Sequence, residues 1–210
     1  GFVNLLMPDL FALDTAEYII PCRNVSCLVA LEGGFGSVMS RPNFIYCPYC
    51  ATALEIREIY RQQRPVCPHC HFIQFADPKV AVIGLVTHGP QVLLIRRAVE
   101  PDKGKWALPG GYMDAGEMPV AALQRELLEE VGLQVKIEAM LDIFPMVVAA
   151  GRSQGIVLAY HAVPASIEQT TLVCDDDACE AAWFTAMTLP TDLAFESTHT
   201  LLAQWVNTKA

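Results

Sequence analysis

The spacing of hydrophobic residues changes along the chain from a strand-like period to a helical one. KVAVIGLVTH (79–88) and QVLLIRRA (91–98) are rich in β-branched and other apolar residues, and a Gly-Pro turn joins them, which is typical of two adjacent strands. Similar runs at 134–144, 156–163 and 181–184 predict further strands. Because helical segments are interspersed with these strands, we expect an α/β or α+β sandwich around one mixed sheet.

Two segments have the helical period instead. The first, PVAALQRELLEEV, predicts a helix from about 119 to 131, in which Pro119 suits the first helical position and Gly132 suits the C-terminal cap. The second predicts a helix from about 197 to 207. On the first helix, spacings of three and four residues place the apolar side chains on one stripe: Val120, Leu123, Leu127 and Val131.

Composition and charge narrow the class of protein. The chain has 210 residues, 53% of them hydrophobic, which suffices for one domain with a packed core and a small accessory module. The net charge of −9 argues against a large nucleic-acid interface and is compatible with a site that collects divalent cations. No uninterrupted apolar run approaches the length of about 18 residues typical of a membrane span, and the apolar N-terminus lacks the basic residues of a signal peptide, so we expect a cytoplasmic protein.

Four of the eight cysteines form two pairs with the spacing of a zinc site: Cys47, Cys50, Cys67 and Cys70. Two Cys-x2-Cys pairs separated by 16 residues fall within the range for four-thiolate zinc, which is a structural coordination. We therefore expect a zinc ribbon over 43–78, with a hairpin between the pairs and with the flanking His69 and His71 outside the ligand set. Two unrelated pairs of reduced thiols are the alternative. The ribbon could bind nucleic acid, contact a partner subunit or brace the larger domain.

The first 38 residues carry no motif and no sustained period. The chain begins with Gly1, and we interpret Met39 as the natural start and 1–38 as an extension that is non-native or poorly ordered. Deleting 1–38 should then leave activity and melting temperature unchanged, and a large loss of either would contradict this interpretation. The remaining thiols are expected to be free: Cys22, Cys27, Cys174 and Cys179.

The first predicted helix carries three carboxylates within five residues: Glu126, Glu129 and Glu130. Their i, i+3 and i+4 spacing puts them near one face, where like charges oppose helix formation by about 0.2–0.5 kcal/mol per pair. A solvated acidic face is the simplest explanation. The Gly-rich loop KWALPGGYMDAGE (105–117) before the helix favours another, because such loops approach ligands closely and grouped carboxylates suit Mg2+.

Loop and helix together form one long motif: Gly111, five residues, Glu117, seven residues and then RELLEEVGL (125–133). The motif matches the Nudix box at every defined position, so the chain resembles the Nudix hydrolases over about 79–207, with 79–210 as the expected domain. This resemblance implies an α/β/α sandwich around a mixed sheet. The preceding ribbon makes the chain similar to the zinc-ribbon members of the family, which include NADH pyrophosphatases and enzymes that act on FAD and ADP-ribose.

The resemblance implies hydrolysis of the pyrophosphate bond of a nucleoside diphosphate linked to another moiety, with Mg2+ or Mn2+ as cofactor besides structural Zn2+. FAD or ADP-ribose, cleaved to release AMP, is favoured because Ser153-Gln154 is followed by Gly155 and lacks the tryptophan of the NADH signature. The alternatives are NADH or NAD-capped RNA as substrate, a non-catalytic nucleotide sensor, and a zinc-ribbon nucleic-acid adaptor. By analogy we expect a homodimer, and nucleic acid as a partner only in the form of capped RNA.

The resemblance also implies the magnesium ligands. Glu126 and Glu130 would be the main ligands, since they match the metal-binding positions of the box. Glu129, Glu180 and the backbone carbonyl of Gly110 would assist them, with Glu180 as either a ligand or the base.

Other residues would support or activate the reaction. Arg125 and Glu117 would hold the glutamates in position, and a direct contact of Arg125 with phosphate is the less favoured role. The base that activates water would come from a later acidic segment, either from Glu180 or from the aspartates before it: Asp175, Asp176 and Asp177. No residue that recognises the remainder of the substrate is predicted.

Overall fold

The computed structural model of the chain describes residues 44–148, 152–166, 172–173 and 178–208. The chain divides into two units, Gly1–Val38 and Met39–Ala210, and the described residues all belong to the second. Some expectations fall outside the described residues and stay predictions: those for 1–38, Met39, Cys22, Cys27, Cys174, Asp175, Asp176 and Asp177, and for the Cys179 side chain.

The ribbon contains the strands β1 (Glu55–Ile59) and β2 (Gln62–Val66). The larger domain contains β3 (Lys79–His88), β4 (Gln91–Arg97), β5 (Trp106–Ala107), α1 (Pro119–Val131), β6 (Val135–Val148), β7 (Arg152–Pro164), β8 (Ala178–Thr185) and α2 (Glu196–Asn207). The predicted strands and both helices are confirmed, and β5 is a short strand inside the predicted loop. β6, β7 and β8 are longer than their hydrophobic runs, because pairing with neighbouring strands sets where they end. Among the described residues, no helix is long and apolar enough to cross a membrane.

The predicted ribbon hairpin is confirmed, with β1 and β2 antiparallel. Its two-residue turn consists of Tyr60 and Arg61, which both have left-handed backbone angles (φ 53° and 62°). A turn of this kind matches the twist of the strands that it joins. The turn therefore sets the register of the hairpin, whose outer ends carry the two cysteine pairs.

The strands of the larger domain form a mixed sheet in the order β5-β4-β3-β7-β6, with β8 on the other edge of β4. β3 and β4 pair only next to their turn, and β4 then leaves β3. The Gly-rich loop takes its place beside β3: Val82 N–H donates to the Gly111 carbonyl at 2.8 Å, and Met113 N–H donates to the Val80 carbonyl at 3.0 Å. The loop is thus held in place by the sheet.

Neighbouring residues of β4 point to opposite faces of the sheet, and each face has its own hydrophobic core. Leu93 and Ile95 belong to the core under α1, which we call the α1 side. Val92 and Leu94 belong to the core under α2, the α2 side. Leu123, Leu127 and Val131 of α1 complete the first core, and Leu201, Leu202 and Trp205 of α2 complete the second. This arrangement confirms the α/β/α sandwich.

α1 has the predicted first-position proline and C-terminal glycine cap, but its orientation differs from the expected one. Val120 is 43% exposed, whereas Ala122 is fully buried. At about 100° per residue, the buried arc is centred between Leu123 and Glu130 rather than on the predicted stripe. Two of the three glutamates therefore lie inside the buried arc: Glu126 and Glu130.

Candidate functional site

Two carboxylates of α1 are buried and one is exposed. Glu126 is 9% exposed and Glu130 is 3% exposed, whereas Glu129 has 47% of its side chain exposed to solvent. Glu126 and Glu130 are four residues apart, so they lie side by side on adjacent turns of the helix. Burying a charged carboxylate is costly unless charges or hydrogen bonds compensate. The groups that compensate these two carboxylates therefore define the site.

Arg125 holds three carboxylates together with four of the five N–H donors of its guanidinium group, and the fifth binds a backbone carbonyl. Nε and Nη2 each donate to Glu117 at 3.0 Å, and Nη1 donates to Glu126 and to Glu129 at 2.9 Å. Nη2 also donates to the carbonyl of Tyr112 at 3.0 Å. Because these bonds occupy every N–H, the geometry favours Arg125 as the residue that positions the glutamates over a direct phosphate contact.

The ion pair between Arg125 and Glu117 shifts the titration of both groups. Hydrogen bonds from Arg125 lower the pKa of Glu117 below its usual value, and the backbone N–H of Asp114, at 3.1 Å, lowers it further. The same hydrogen bonds raise the pKa of Arg125 above its usual value. Since the pKa of Glu117 is lower in the folded than in the unfolded chain, the stabilisation is complete above the unfolded-state pKa and is lost as the pH falls through the folded-state pKa.

The paired glycines bring the loop backbone against the buried carboxylates. Gly110 N–H donates to Oε2 of Glu130 at 2.9 Å. Gly110 has a φ of 140°, and a Cβ there would collide with the carbonyl oxygen of Val82. A Cβ on Gly111 would lie 2.5 Å from Oε2 of Glu126. Only glycine fits at position 110, and a side chain at position 111 would displace the Glu126 carboxylate, so the loop and the carboxylates form one packed unit. The Gly110 carbonyl as a metal ligand stays a prediction.

Arg125→Lys should impair catalysis while the domain stays folded. Lysine keeps the charge, but its three donors on one nitrogen cannot reproduce the planar fork that binds Glu117 twice. Because loss of a group that orients metal ligands typically costs 10- to 100-fold, we expect kcat/KM to fall by about that factor. Arg57→Lys is the control, since Arg57 makes an exposed ion pair in the ribbon. Equal rates for the two variants would refute the role of Arg125.

Glu180 lies on the α2 side of the sheet, away from the carboxylates of α1. It is opposite Arg96 in the β4–β8 ladder, and its Oε2 is 3.3 Å from Nη1 of Arg96. Because residues two apart on a strand share a face, Glu180 shares the face of Ala182 and Phe184, which pack in the α2-side core. The expectation that Glu180 completes the magnesium site stays a prediction, since the structure places Glu180 on the opposite side of the sheet from Glu126 and Glu130. Alternation along β8 directs its side chain away from α1.

The four paired cysteines converge in the ribbon, with their sulfurs all within 4.8 Å of one another. The sulfurs are 3.5 Å apart for Cys47 and Cys70 and for Cys50 and Cys67, and 3.6 Å apart for Cys50 and Cys70. Tetrahedral zinc with bonds of about 2.3 Å needs sulfurs about 3.8 Å apart. The four thiols therefore fit the predicted zinc site, and neither flanking histidine belongs to the described cluster.

The two cysteine pairs lie in equivalent turns. The carbonyl of Cys47 accepts a hydrogen bond from Ala51 N–H at 2.9 Å, and the carbonyl of Cys67 accepts one from His71 N–H at 3.1 Å. Ala51 and His71 both have left-handed backbone angles (φ 55° and 62°). Each turn thus folds back after its second cysteine, which aims both thiols of a pair at the same point.

The thiols of the cluster differ in acidity. Hydrogen bonds with Thr52 lower the pKa of Cys50 to about 5. A backbone hydrogen bond from Phe72 lowers the pKa of Cys70, but contacts with other sulfurs, Cys47 first, and burial outweigh it and raise that pKa to about 12. Zinc binds thiolates, so its binding must release a proton from Cys70. Zinc affinity is therefore expected to weaken as the pH falls.

The sequence did not indicate a role for Tyr112. Its carbonyl takes a guanidinium N–H, and Lys79 Nζ lies 4.6 Å from the centroid of its ring. Both residues line a cleft of about 520 Å³ that extends to Glu117. A contact through a backbone carbonyl does not depend on residue type, so the identity of Tyr112 could not indicate this role. The only signal in the sequence is that Tyr112 directly follows the paired glycines.

Comparison with known proteins gives matches over this site. Residues 77–205 match the model of the NUDIX domain. An ADP-ribose pyrophosphatase of Methanocaldococcus jannaschii is 35% identical over 124 residues, which cover 58% of this chain and 70% of that protein. The NAD-capped RNA hydrolase NudC of Pseudomonas aeruginosa is 30% identical over 151 residues, 69% of this chain and 49% of that protein. The chain thus spans about half the length of the second relative.

The fold also matches solved structures. A NUDIX hydrolase from Nitrosomonas europaea superimposes with a TM-score of 0.69 at 26% identity, covering 78% of this chain and 91% of that chain.

Proposed function

Because this chain belongs to the Nudix hydrolase family, we propose that it hydrolyses the pyrophosphate bond of a nucleoside diphosphate linked to a second moiety, with ADP-ribose or FAD as substrate and AMP as a product. The observation that carries this proposal is the pair of buried carboxylates, Glu126 and Glu130, against the Gly110-Gly111 backbone. Buried anions are a poor way to stabilise a core. A cation site that receives a diphosphate explains why both are present.

The donor set of the site fits a hard divalent cation. Carboxylate and carbonyl oxygens are the ligands that Mg2+ and Mn2+ prefer in proteins. We assign the magnesium to Glu126 and Glu130, with Glu129 and the Gly110 carbonyl assisting. When bound, such a cation neutralises phosphate charge and lowers the pKa of a bound water molecule.

The residues around the carboxylates keep them in place for this task. Arg125 ties Glu117 at the loop to Glu126 and Glu129 on the helix, so loop and helix cannot shift independently. The neighbouring cleft is about 520 Å³, within the range of small-molecule sites, and provides a positive charge at Lys79 and an aromatic surface at Tyr112. These features suit the half of the substrate beyond the diphosphate.

The relatives support two substrate classes. The first is represented by the archaeal protein, which is named an ADP-ribose pyrophosphatase and of which this chain spans the larger part. The second candidate is an NAD-linked substrate, including NAD-capped RNA, and the similarity to NudC favours it. We place ADP-ribose and FAD first, because the segment after β6 continues as Ser153-Gln154-Gly155 without the tryptophan of the NADH signature.

A substrate panel tests the proposal. The full chain is incubated with ADP-ribose, FAD, NADH or NAD-capped RNA and with Mg2+ or Mn2+, and the products are separated by chromatography. We expect AMP from ADP-ribose or FAD at the highest kcat/KM, and no AMP without a divalent cation. A higher kcat/KM for an NAD-linked substrate would replace the first candidate with the second. The absence of hydrolysis of every substrate with both metals would refute the proposed function.

Glu180→Gln should change kcat by no more than about threefold. The expected effect is small because the Glu180 carboxylate lies on the α2 side in an exposed ion pair with Arg96, and such pairs contribute about 0–1 kcal/mol. The measurement is kcat for ADP-ribose at saturating Mg2+. Asn variants of Asp175, Asp176 and Asp177 are compared in the same assay, since these aspartates are the other predicted source of the base. A 100-fold loss in Glu180→Gln would restore Glu180 as the candidate base.

A further inference from the structure

A second cavity, of about 330 Å³, lies on the α2 side of the sheet. Its apolar wall comes from Leu85 of β3 and Leu201 of α2, which belong to the α2-side core. The α1 carboxylates are on the opposite side of the sheet. The paired glycines of that site pack against Val82 of β3, whereas the cavity begins at Leu85, three residues further along the strand. The cavity is therefore separate from the site described above.

The wall of this cavity includes a buried hydrogen-bond donor without an acceptor. Trp205 lines the cavity and is 5% exposed, and its Nε1 has no hydrogen-bond partner among the described residues. An indole N–H can only donate, and buried N–H groups are nearly always paired. The indole N–H therefore lacks the acceptor that a buried donor usually has, and Trp205 borders the cavity in which a bound ligand would supply one.

The hydroxyl group of Thr87, which is hydrogen-bonded to His161, supplies a hydrogen-bond acceptor at the same cavity. Oγ1 of Thr87 is 2.8 Å from Nε2 of His161, and Nδ1 of His161 is 3.2 Å from Oε2 of Glu138. The carboxylate favours a proton on Nδ1, so in the neutral ring Nε2 accepts the hydrogen of the Thr87 hydroxyl. The hydroxyl oxygen of Thr87, at the cavity wall, then retains its capacity to accept a hydrogen bond.

The charges around the cavity select against anions. None of the described residues that line it is Asp, Glu, Lys or Arg. The cavity reaches Gln204 in the last turn of α2, where the helix dipole is negative. Glu138 adds a carboxylate behind His161. With His161 neutral, a phosphate or carboxylate would meet the negative end of the α2 dipole and the Glu138 carboxylate, and neither lysine nor arginine on the cavity wall.

We propose that this cavity binds an uncharged heteroaromatic ring with an amide-like edge, as in a nucleoside or nicotinamide. Such an edge accepts a hydrogen bond from Trp205 Nε1–H, donates one to Thr87 Oγ1 and lays its ring against Leu85 and Leu201. The site is distinct from the diphosphate site and does not depend on the proposed hydrolysis. Its ligands are therefore nucleosides, which form when phosphate is removed from a nucleotide, or nicotinamide, which is released from its dinucleotide.

Binding to the full chain without divalent cations tests this proposal. Adenosine and nicotinamide are titrated while tryptophan fluorescence and melting temperature are recorded, and AMP is tested as a competitor of bound adenosine. We expect at least one of the two uncharged probes to bind, and AMP to compete at least about tenfold more weakly than adenosine. The absence of binding by both uncharged probes at about 5 mM, well above the dissociation constants expected for ligands of this size, would overturn the proposal.

Paired variants locate the binding. Trp205→Phe removes the donor and Thr87→Val removes the acceptor, and each should weaken binding by about three- to tenfold, the range for one hydrogen bond. Trp183→Phe, on the α1 side, and Thr191→Val, at an exposed position, are the matched controls and should bind as the wild type does. Two chemically different variants guard against a folding defect in one. Equal affinity in all four variants, or AMP competing as well as adenosine, would place the ligand elsewhere and overturn the assignment.

Discussion

Glu130→Gln is expected to lower kcat/KM by about 100- to 10,000-fold while the fold stays intact. Glutamine has the size of glutamate and can still accept the hydrogen bond from Gly110 N–H, so the packing of the loop against α1 is preserved. The substitution removes one negative charge from a residue that is 3% exposed. A divalent cation supplies several kcal/mol of charge stabilisation in reactions of this kind, and each 1.36 kcal/mol corresponds to a factor of about ten in rate.

Thermal melting provides a second measurement that does not depend on turnover. A cation that binds the folded chain raises its melting temperature, so the wild type should melt higher with Mg2+ than without it. Glu130→Gln should lose most of this rise. Glu58→Gln, an exposed change in the ribbon, is the control and should keep both the rise and the activity. Activity within threefold of the wild type in Glu130→Gln would contradict its assignment as a metal ligand.

Strong periodicity made the elements of the larger domain predictable, but not the rotation of α1. The apolar stripe predicted on α1 excludes the glutamates, because charged residues are expected outside a core. The buried arc instead contains Glu126 and Glu130, and Val120 is left at its edge. In a cation-binding site, charged residues are buried where apolar residues are usually found. A prediction that assumes apolar burial therefore assigns the wrong face of the helix to the core.

Side-chain direction on β8 could not be predicted from the motif. The sequence indicates that Glu180 is acidic and close to an aromatic strand, but not which face of the sheet it occupies. A shift of one residue in register moves a side chain to the other face, and the β4–β8 ladder contains a register shift beside Arg96. The homodimer and the cytoplasmic location, which rested on analogy and on sequence composition, stay predictions.

Spacing alone was sufficient for the zinc ribbon, because a Cys-x2-Cys turn is a local structure. Both turns have the sequence Cys-Pro-x-Cys, and both repeat the same backbone hydrogen bond and the same left-handed position after the second cysteine. The hairpin between them could be predicted from the partial alternation of its residues. What the sequence could not show is how little else supports the ribbon. Among residues 44–78, all of which the structure describes, only Cys47, Pro65, Val66 and Cys67 are buried.

Removing zinc is expected to unfold the ribbon and leave the larger domain folded. Two of its four buried residues are themselves cysteines of the cluster, so no hydrophobic core would remain to hold the hairpin. In small metal domains of this kind the binding energy of zinc is the folding energy. Cys67→Ala should therefore abolish zinc binding, whereas the wild type should contain about one zinc ion per chain by elemental analysis, the number that one four-thiolate cluster holds.

The two cores of the larger domain contain no residue of the ribbon, which is why its unfolding should remain separate. Hydrogen exchange of Cys67→Ala should show rapid exchange over 44–78 and wild-type protection in β3, β4 and α1. Cys174→Ala, a thiol outside the cluster, is the control and should retain zinc and protection. Because protons compete with zinc for the thiolates, acidification should release the metal from the wild type and reproduce the exchange pattern of Cys67→Ala. A ribbon that stays protected without zinc would show that its few buried residues suffice.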